Sequence, residues 1–137
     1  MQTLPFMRST RRLGLVLATT IIAAATPRLV HAQGEIYGSQ DLTALPKPVS
    51  AATTARLIAR SYPERQRRMG VGGSVQVQFV IAQNGKVEPG SVEVVDATTP
   101  EFASAAKSVV EKLEFVPGKK DGNAVRARVQ QQIIYKP

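Results

Sequence analysis

Apolar and polar positions alternate from Ser74 to Ala82, with Val75, Val77, Phe79 and Ile81 on one parity and Gln76 and Gln78 on the other. A period of two marks a half-buried strand. Asn84-Gly85 follows. That pair tolerates the positive φ angles of a two-residue hairpin turn, so the next run, Val87 to Val95, is expected to return antiparallel to the first. Pro89-Gly90 interrupts the run, and proline supplies no ladder hydrogen bond, which predicts a bulge or an irregular start. The period then changes. Phe102, Ala105, Ala106, Val109, Val110 and Leu113 recur three and four apart, a single apolar stripe behind a helix start at Thr98 or Thr99, Pro100 and Glu101. After a turn over Lys119-Lys120-Asp121-Gly122-Asn123, alternation returns. Val125, Ala127, Val129, Ile133 and Tyr135 stand against Arg126, Arg128, Gln130 and Gln132. Gln131 falls on the apolar parity, which predicts a bulge or a shallow edge position.

Upstream the pattern is weaker. Ser50 or Thr53 is placed to cap a helix through Ala55, Leu57 and Ile58 to Ser61. Pro63 holds Tyr62 extended and fits the first turn of a second short helix, Pro63 to Met69, where its missing N–H costs nothing. Gly70, Gly72 and Gly73 close it. Residues 33–50 keep no period and carry Gly34, Gly38, Pro46 and Pro48, so they read as an extended linker or arm, with Leu42, Leu45 and Val49 as the side chains that would dock on the domain. Residues 1–32 read as a secretory signal: Arg8, Arg11 and Arg12, an apolar core from Leu13 to Ala25, and small residues spaced for cleavage at Val30-His31-Ala32. The core is shorter than the roughly 17–25 residues a bilayer span takes. An uncleaved N-terminal anchor is the rival reading, and Thr10-Arg11-Arg12-Leu13 is a partial twin-arginine signal. The organisation expected is therefore signal peptide 1–32, arm 33–50 and one folded domain over 51–137.

Composition narrows the function. The formal net charge is +8, but four of the 18 basic residues (Arg8, Arg11, Arg12 and Arg28) lie in the leader with no acid beside them. The remainder carries fourteen cations against ten acids, an excess of +4, which falls short of a nucleic-acid footprint. There is no cysteine, and the one histidine, His31, lies in the leader. The exported chain then lacks thiol nucleophiles, imidazole bases and most zinc or copper ligands, which argues against an enzyme, a metal site or a cofactor. The acids form no ligand-spaced cluster. Gly70-Val71-Gly72-Gly73 lies between a helix and the strand after it, the reverse of a phosphate-binding loop, and reads as turn chemistry.

What remains is a small sheet with open edges. An edge with unpaired N–H and C=O groups can accept an extended peptide as an added strand, or it can simply be blunted by charge, as Arg126 and Arg128 would do. The ordered set Tyr62-Pro63, Gly73, Val75-x-Val77-x-Phe79, Asn84-Gly85-x-Val87, Val92, Val94, Ala105-Ala106, Phe115-x-Pro117, Gly122 and Val125 resembles the C-terminal domain of TonB-type periplasmic proteins over about residues 60–135. Leu113-Glu114-Phe115 stands where that family usually carries a Trp-rich helix end. The resemblance implies an α+β fold of order α-β-β-α-β, a three-stranded antiparallel sheet with two helices on one face and the last strand beside the first at an edge.

The resemblance also implies a site. In that family the last strand and the segment around Tyr-Pro receive the short periplasmic motif of an outer-membrane transporter. By position the partner-binding candidates are Tyr62, Pro63, Arg67 and Arg68, with Val125, Arg126, Ala127, Arg128, Val129, Gln130, Gln132 and Ile134 on the closing strand. A ring packed in the groove between helix and sheet is the other reading of Tyr62. The function expected is a periplasmic protein-binding module linked to TonB-dependent transport. Its partner would be a transporter motif or another envelope protein, with a homodimer through the edge strand as a further use of the same groups. A full TonB adds a membrane anchor and a long Pro-rich spacer, and neither is read in this sequence. The alternative is an adaptor domain that binds another envelope protein without transducing energy.

Overall fold

The computed structural model describes residues 34–137. The leader read over residues 1–32, with its cleavage site, lies outside the described residues.

The arm comes first. Strand β1, Ile36–Tyr37, is followed by a 3-10 turn at Ser39–Asp41 and by β2, Lys47–Pro48. Helix α1, Ala51–Arg60, begins at Ser50, whose hydroxyl accepts the Thr53 N–H at 3.2 Å and so satisfies one of the unpaired donors of the first turn. Helix α2, Glu64–Arg68, has Pro63 as its extended N-cap. Strand β3, Gly73–Ile81, carries the expected alternation. Strand β4 is Glu93–Ala97, and helix α3, Pro100–Val110, is capped by the Thr99 hydroxyl with proline in its first turn. Then come β5, Phe115–Val116, the hairpin β6, Lys119–Lys120, and β7, Asn123–Ala124, and the long closing strand β8, Arg126–Tyr135.

The main sheet runs β1-β8-β3-β4. The three long strands are antiparallel, as expected, and the sheet gains a fourth member: β1 pairs in parallel with the start of β8, Ile36 opposite Arg126 and Tyr37 opposite Ala127. Arm strand β2 pairs antiparallel with β5 in a separate small ladder. The β3–β8 register is unbroken from Gly73↔Tyr135 to Ile81↔Ala127. Gln131 therefore sits in regular pairing opposite Val77, half-buried, with no bulge at this position. The bulge in the sheet lies instead between β3 and β4, at Gln76/Val77.

The turn after β3 also differs in type from the two-residue form. Gly85 N–H bonds the Ala82 carbonyl at 2.9 Å, and Gly85 alone in this turn has positive φ, at 82°. Three residues thus make the connection, with glycine in the left-handed position. The two-residue turn with both φ positive occurs between β6 and β7, at Asp121 (51°) and Gly122 (82°).

The helices cover one face. Val75, Val77, Phe79 and Ile81 of β3, Phe102, Ala106, Val109 and Val110 of α3, and Leu113, Phe115, Ile133 and Tyr135 form one buried cluster. Full burial of each large aliphatic or aromatic side chain contributes about 1.5–3 kcal/mol. Val129 is half-buried against the cluster, and Val125 lies just before β8 and outside it; Ala127 takes the first buried slot of that strand. In the arm, Leu42 is half-buried over Gly118, whereas Leu45 and Val49 are exposed. The arm holds mainly through its backbone: Thr43 and Ala44 donate to the Lys119 carbonyl, and Val49 donates to that of Glu114.

Candidate functional site

The direction of the β8 backbone groups follows from the bonds of its neighbour. On β3, Val80 donates to the Ser91 hydroxyl at 3.1 Å and its carbonyl accepts from Glu88 N–H at 2.9 Å, so both groups point away from β8. Ser74 does the same toward Thr98 at the other end of the strand. Residues opposite such positions in an antiparallel ladder turn their own groups outward, and the pattern alternates. The partners of Val80, Gln78, Gln76 and Ser74 are Arg128, Gln130, Gln132 and Ile134. These four present N–H and C=O to the outer edge, while Ala127, Val129, Gln131, Ile133 and Tyr135 bond inward to β3.

Part of this edge is already taken. In a parallel ladder one residue bonds both neighbours of its partner, so Tyr37, opposite Ala127, joins the Arg126 carbonyl and the Arg128 N–H. Beyond Arg128 the sheet has no further strand on this side among the described residues. The free stretch is Gln130, Gln132 and Ile134.

That stretch ends at a groove of about 860 Å³ between α1 and the end of β8. Ile58, Tyr62, Ile134 and Tyr135 give it apolar walls, and among the described lining residues Arg56, Arg60, Arg67 and Lys136 supply four cations with no aspartate or glutamate. Tyr62 is both wall and core. Its ring stands edge-on to Phe102 and Tyr135, with centroids 5.8 and 5.6 Å away, and its hydroxyl donates to the Val71 carbonyl at 2.6 Å. The Arg67 guanidinium lies 5.4 Å from the Tyr62 ring centre and donates to the Ala59 carbonyl at 2.7 Å, tying α2 to α1. Burial pushes the Tyr135 phenol up from its ordinary value, and its bond with the Ser61 hydroxyl at 2.9 Å partly offsets that.

The twelve sequence candidates separate. Tyr62, Arg67 and Ile134 line the groove, and Gln130 and Gln132 lie on the free edge beside it. Arg126 and Arg128 lie on the same edge where β1 covers it. Ala127 is fully buried and Val129 half-buried on the helix face. Val125 donates to the Gly118 carbonyl before the strand begins, Pro63 caps α2, and Arg68 is exposed outside the groove. Sequence reasoning missed Ile58, Arg56 and Arg60. The signal available was the amphipathic spacing of Arg56 and Arg60 about the Leu57-Ile58 face. Among the described residues no group of three or more metal-ligating side chains is gathered.

A family model described as the Gram-negative bacterial TonB protein C-terminal matches residues 58–137, from the groove wall of α1 to the last residue of β8 and beyond. The chain belongs to the TonB C-terminal family. The matched segment contains the whole edge and most of the groove. Among solved structures, the chain is similar to the Pseudomonas aeruginosa TonB C-terminal domain (19% identity, 76% of this chain and 96% of that one, TM-score 0.49). It is also similar to the tonb2 protein from Vibrio anguillarum (23% identity, 98% and 97%, TM-score 0.43) and to the Helicobacter pylori TonB C-terminal domain (21% identity, 66% and 86%, TM-score 0.37). No curated protein sequence matches the chain. The assignment rests on the family match. Among the described residues no helix is long and apolar enough to cross a membrane.

Proposed function

We propose that this TonB-family domain binds an extended peptide by strand addition along Gln130, Gln132 and Ile134, its partner being the periplasmic segment of an outer-membrane transporter. The observation that carries the reading is the free edge ending in a groove. Main-chain groups of the edge would give affinity, and the groove would select the side chain that enters it. The four cations around the groove favour a segment with acidic residues near its apolar anchor. The domain acts in the periplasm after export and removal of residues 1–32. Intact mass of the protein from its native host tests that step, and full-length chain in washed inner membranes would replace it with an anchored form.

The binding test is amide chemical-shift mapping with peptides from transporter N-termini of the same organism. Shifts are expected along Gln130 to Tyr135 and at Ile58 and Tyr62. Shifts confined to α3, or none with any peptide while an envelope protein still binds the domain, would overturn strand addition and leave the adaptor function.

A further inference from the structure

The arm treats the binding edge as a ligand would. Ile36–Tyr37 adds to β8 as a parallel strand opposite Arg126–Ala127, taking outward backbone groups of Arg126 and Arg128 on the edge that continues into Gln130, Gln132 and Ile134. The attachment is reinforced from both sides. Among the described residues Arg126 spreads its guanidinium over three acceptors: Nε and Nη2 hold the two carboxylate oxygens of Glu88, the latter at 2.7 Å, and Nη1 donates to the Gly34 carbonyl at 2.6 Å. The Lys120 ammonium lies 4.2 Å above the centre of the Tyr37 ring. The side chains of the fork are mostly shielded, 12% exposed for Arg126 and 22% for Glu88, where charge-assisted bonds are strong.

The attachment is also short. Immediately after Tyr37, the Gly38 N–H bonds the Asp41 carboxylate at 3.3 Å and Asp41 N–H bonds the Gly38 carbonyl at 3.0 Å, which turns the chain off the edge. A hollow of about 390 Å³, lined by Ile36, Gly38, Ser39, Gln40, Arg128 and Gln130 among others, opens where the arm departs. The rest of the arm stays fastened elsewhere, to Lys119, β5 and Glu114. Ile36–Tyr37 can therefore leave β8 without the arm leaving the domain.

We propose that the Gly34–Tyr37 segment is an intramolecular occupant of the peptide-binding edge, which holds a ligand to Gln130–Ile134 and must swing off before a ligand can reach Arg126. This rests on the peptide-edge reading above. A tethered strand has an effective concentration of about millimolar or more, so a free peptide meets a standing competitor. Apparent affinity falls by the fraction of molecules with the edge open; an arm docked in about 99 of 100 molecules weakens binding at Arg126–Arg128 about a hundredfold.

Two variants of the full chain test this. Tyr37→Pro removes the N–H that meets the Arg126 carbonyl, and Glu88→Gln weakens the fork without touching the arm. The probes are two synthetic peptides of alternating threonine and valine, about five and ten residues long, the longer able to span all of β8 at roughly 3.4 Å per residue. Amide exchange at Arg128 is expected to quicken at least about tenfold in Tyr37→Pro, where the cap opens freely, and less in Glu88→Gln. The longer peptide is expected to bind Tyr37→Pro about ten- to a hundredfold more tightly than the wild type, and the shorter equally to both. Unchanged Arg128 exchange in both variants overturns the cap. So does a longer peptide that shifts Arg126 and Arg128 in the wild type while the Ile36 and Tyr37 amides stay put. Silence from both peptides on all three proteins overturns the edge reading and the competition with it, and the exchange rates then report the arm's docking alone.

Discussion

Tyr62 and Tyr135 meet edge to face, their ring centroids 5.6 Å apart and their planes at 79°. The contact joins the connection between the first two helices to the last residue of the closing strand, so the groove wall and the end of the outer edge are set by one pair. Such aromatic pairs add about 0.5–1.5 kcal/mol beyond area burial. Tyr62→Phe keeps the ring and loses the bond to the Val71 carbonyl, and is expected to cost about 1 kcal/mol. Tyr62→Ala is expected to cost about 3–5 kcal/mol in a denaturant titration and to displace the Ile134 and Tyr135 amide signals.

Proline distinguishes the two directions of β8. At Gln132 it removes an outward N–H, so the domain should stay folded and an edge-binding peptide should lose its shifts. At Ile133 it removes an inward ladder bond to β3 beneath a side chain that is 2% exposed, so the sheet should unfold. Circular dichroism with chemical-shift mapping reads both. Loss of fold at Gln132 with retention at Ile133 would mean that the parity derived from Val80 and Ser74 is reversed.

Gly85 and Gly122 share a φ of 82° and differ in their surroundings. A Cβ on Gly85 would lie 1.9 Å from the Phe115 carbonyl oxygen, whereas one on Gly122 would meet nothing within 4 Å. Gly122→Ala is expected to cost about 1–2 kcal/mol from the left-handed backbone alone. Gly85→Ala should cost clearly more, because Phe115, whose N–H also bonds the Gly85 carbonyl at 2.8 Å, must move. Equal losses in thermal unfolding would show that the backbone strain is the whole effect.

The arm should respond to acid. The hydrogen bond from Arg126 holds the Glu88 carboxyl below its ordinary value of 4.5, against a smaller opposing effect of desolvation. A carboxylate depressed in the folded state stabilises it above the unfolded value and loses that contribution as pH falls through the folded one. The Ile36 and Tyr37 amide signals should therefore be insensitive to pH near neutrality and move toward unpaired values only as pH drops below 4.5. Glu88→Gln should remove most of that dependence in the same window. A wild-type transition near neutral pH would assign the release to another group.

The sequence by itself determined the long elements and the face each one buries. Alternation through Val75, Val77, Phe79 and Ile81 and the stripe from Phe102 to Val110 leave only one way to cover apolar surface, and a slip of one residue would expose all of it. Local chemistry was equally legible at Ser50 and Thr99, whose hydroxyls cap the helices they precede, and the motif glycine at 73 finds its reason in the Phe102 ring, which a Cβ there would strike at 2.5 Å. Only the tertiary structure decided what borders the edge. Ile36–Tyr37 is two residues long and has no period to read, and it is a strand only because β8 offers it unpaired groups. The groove is likewise a meeting of α1 with a strand end more than seventy residues later, as in the Ser61–Tyr135 bond. Periodicity reports which face of an element leaves water; which other element meets it, and which backbone groups that meeting leaves free, depend on contacts between segments far apart in the chain.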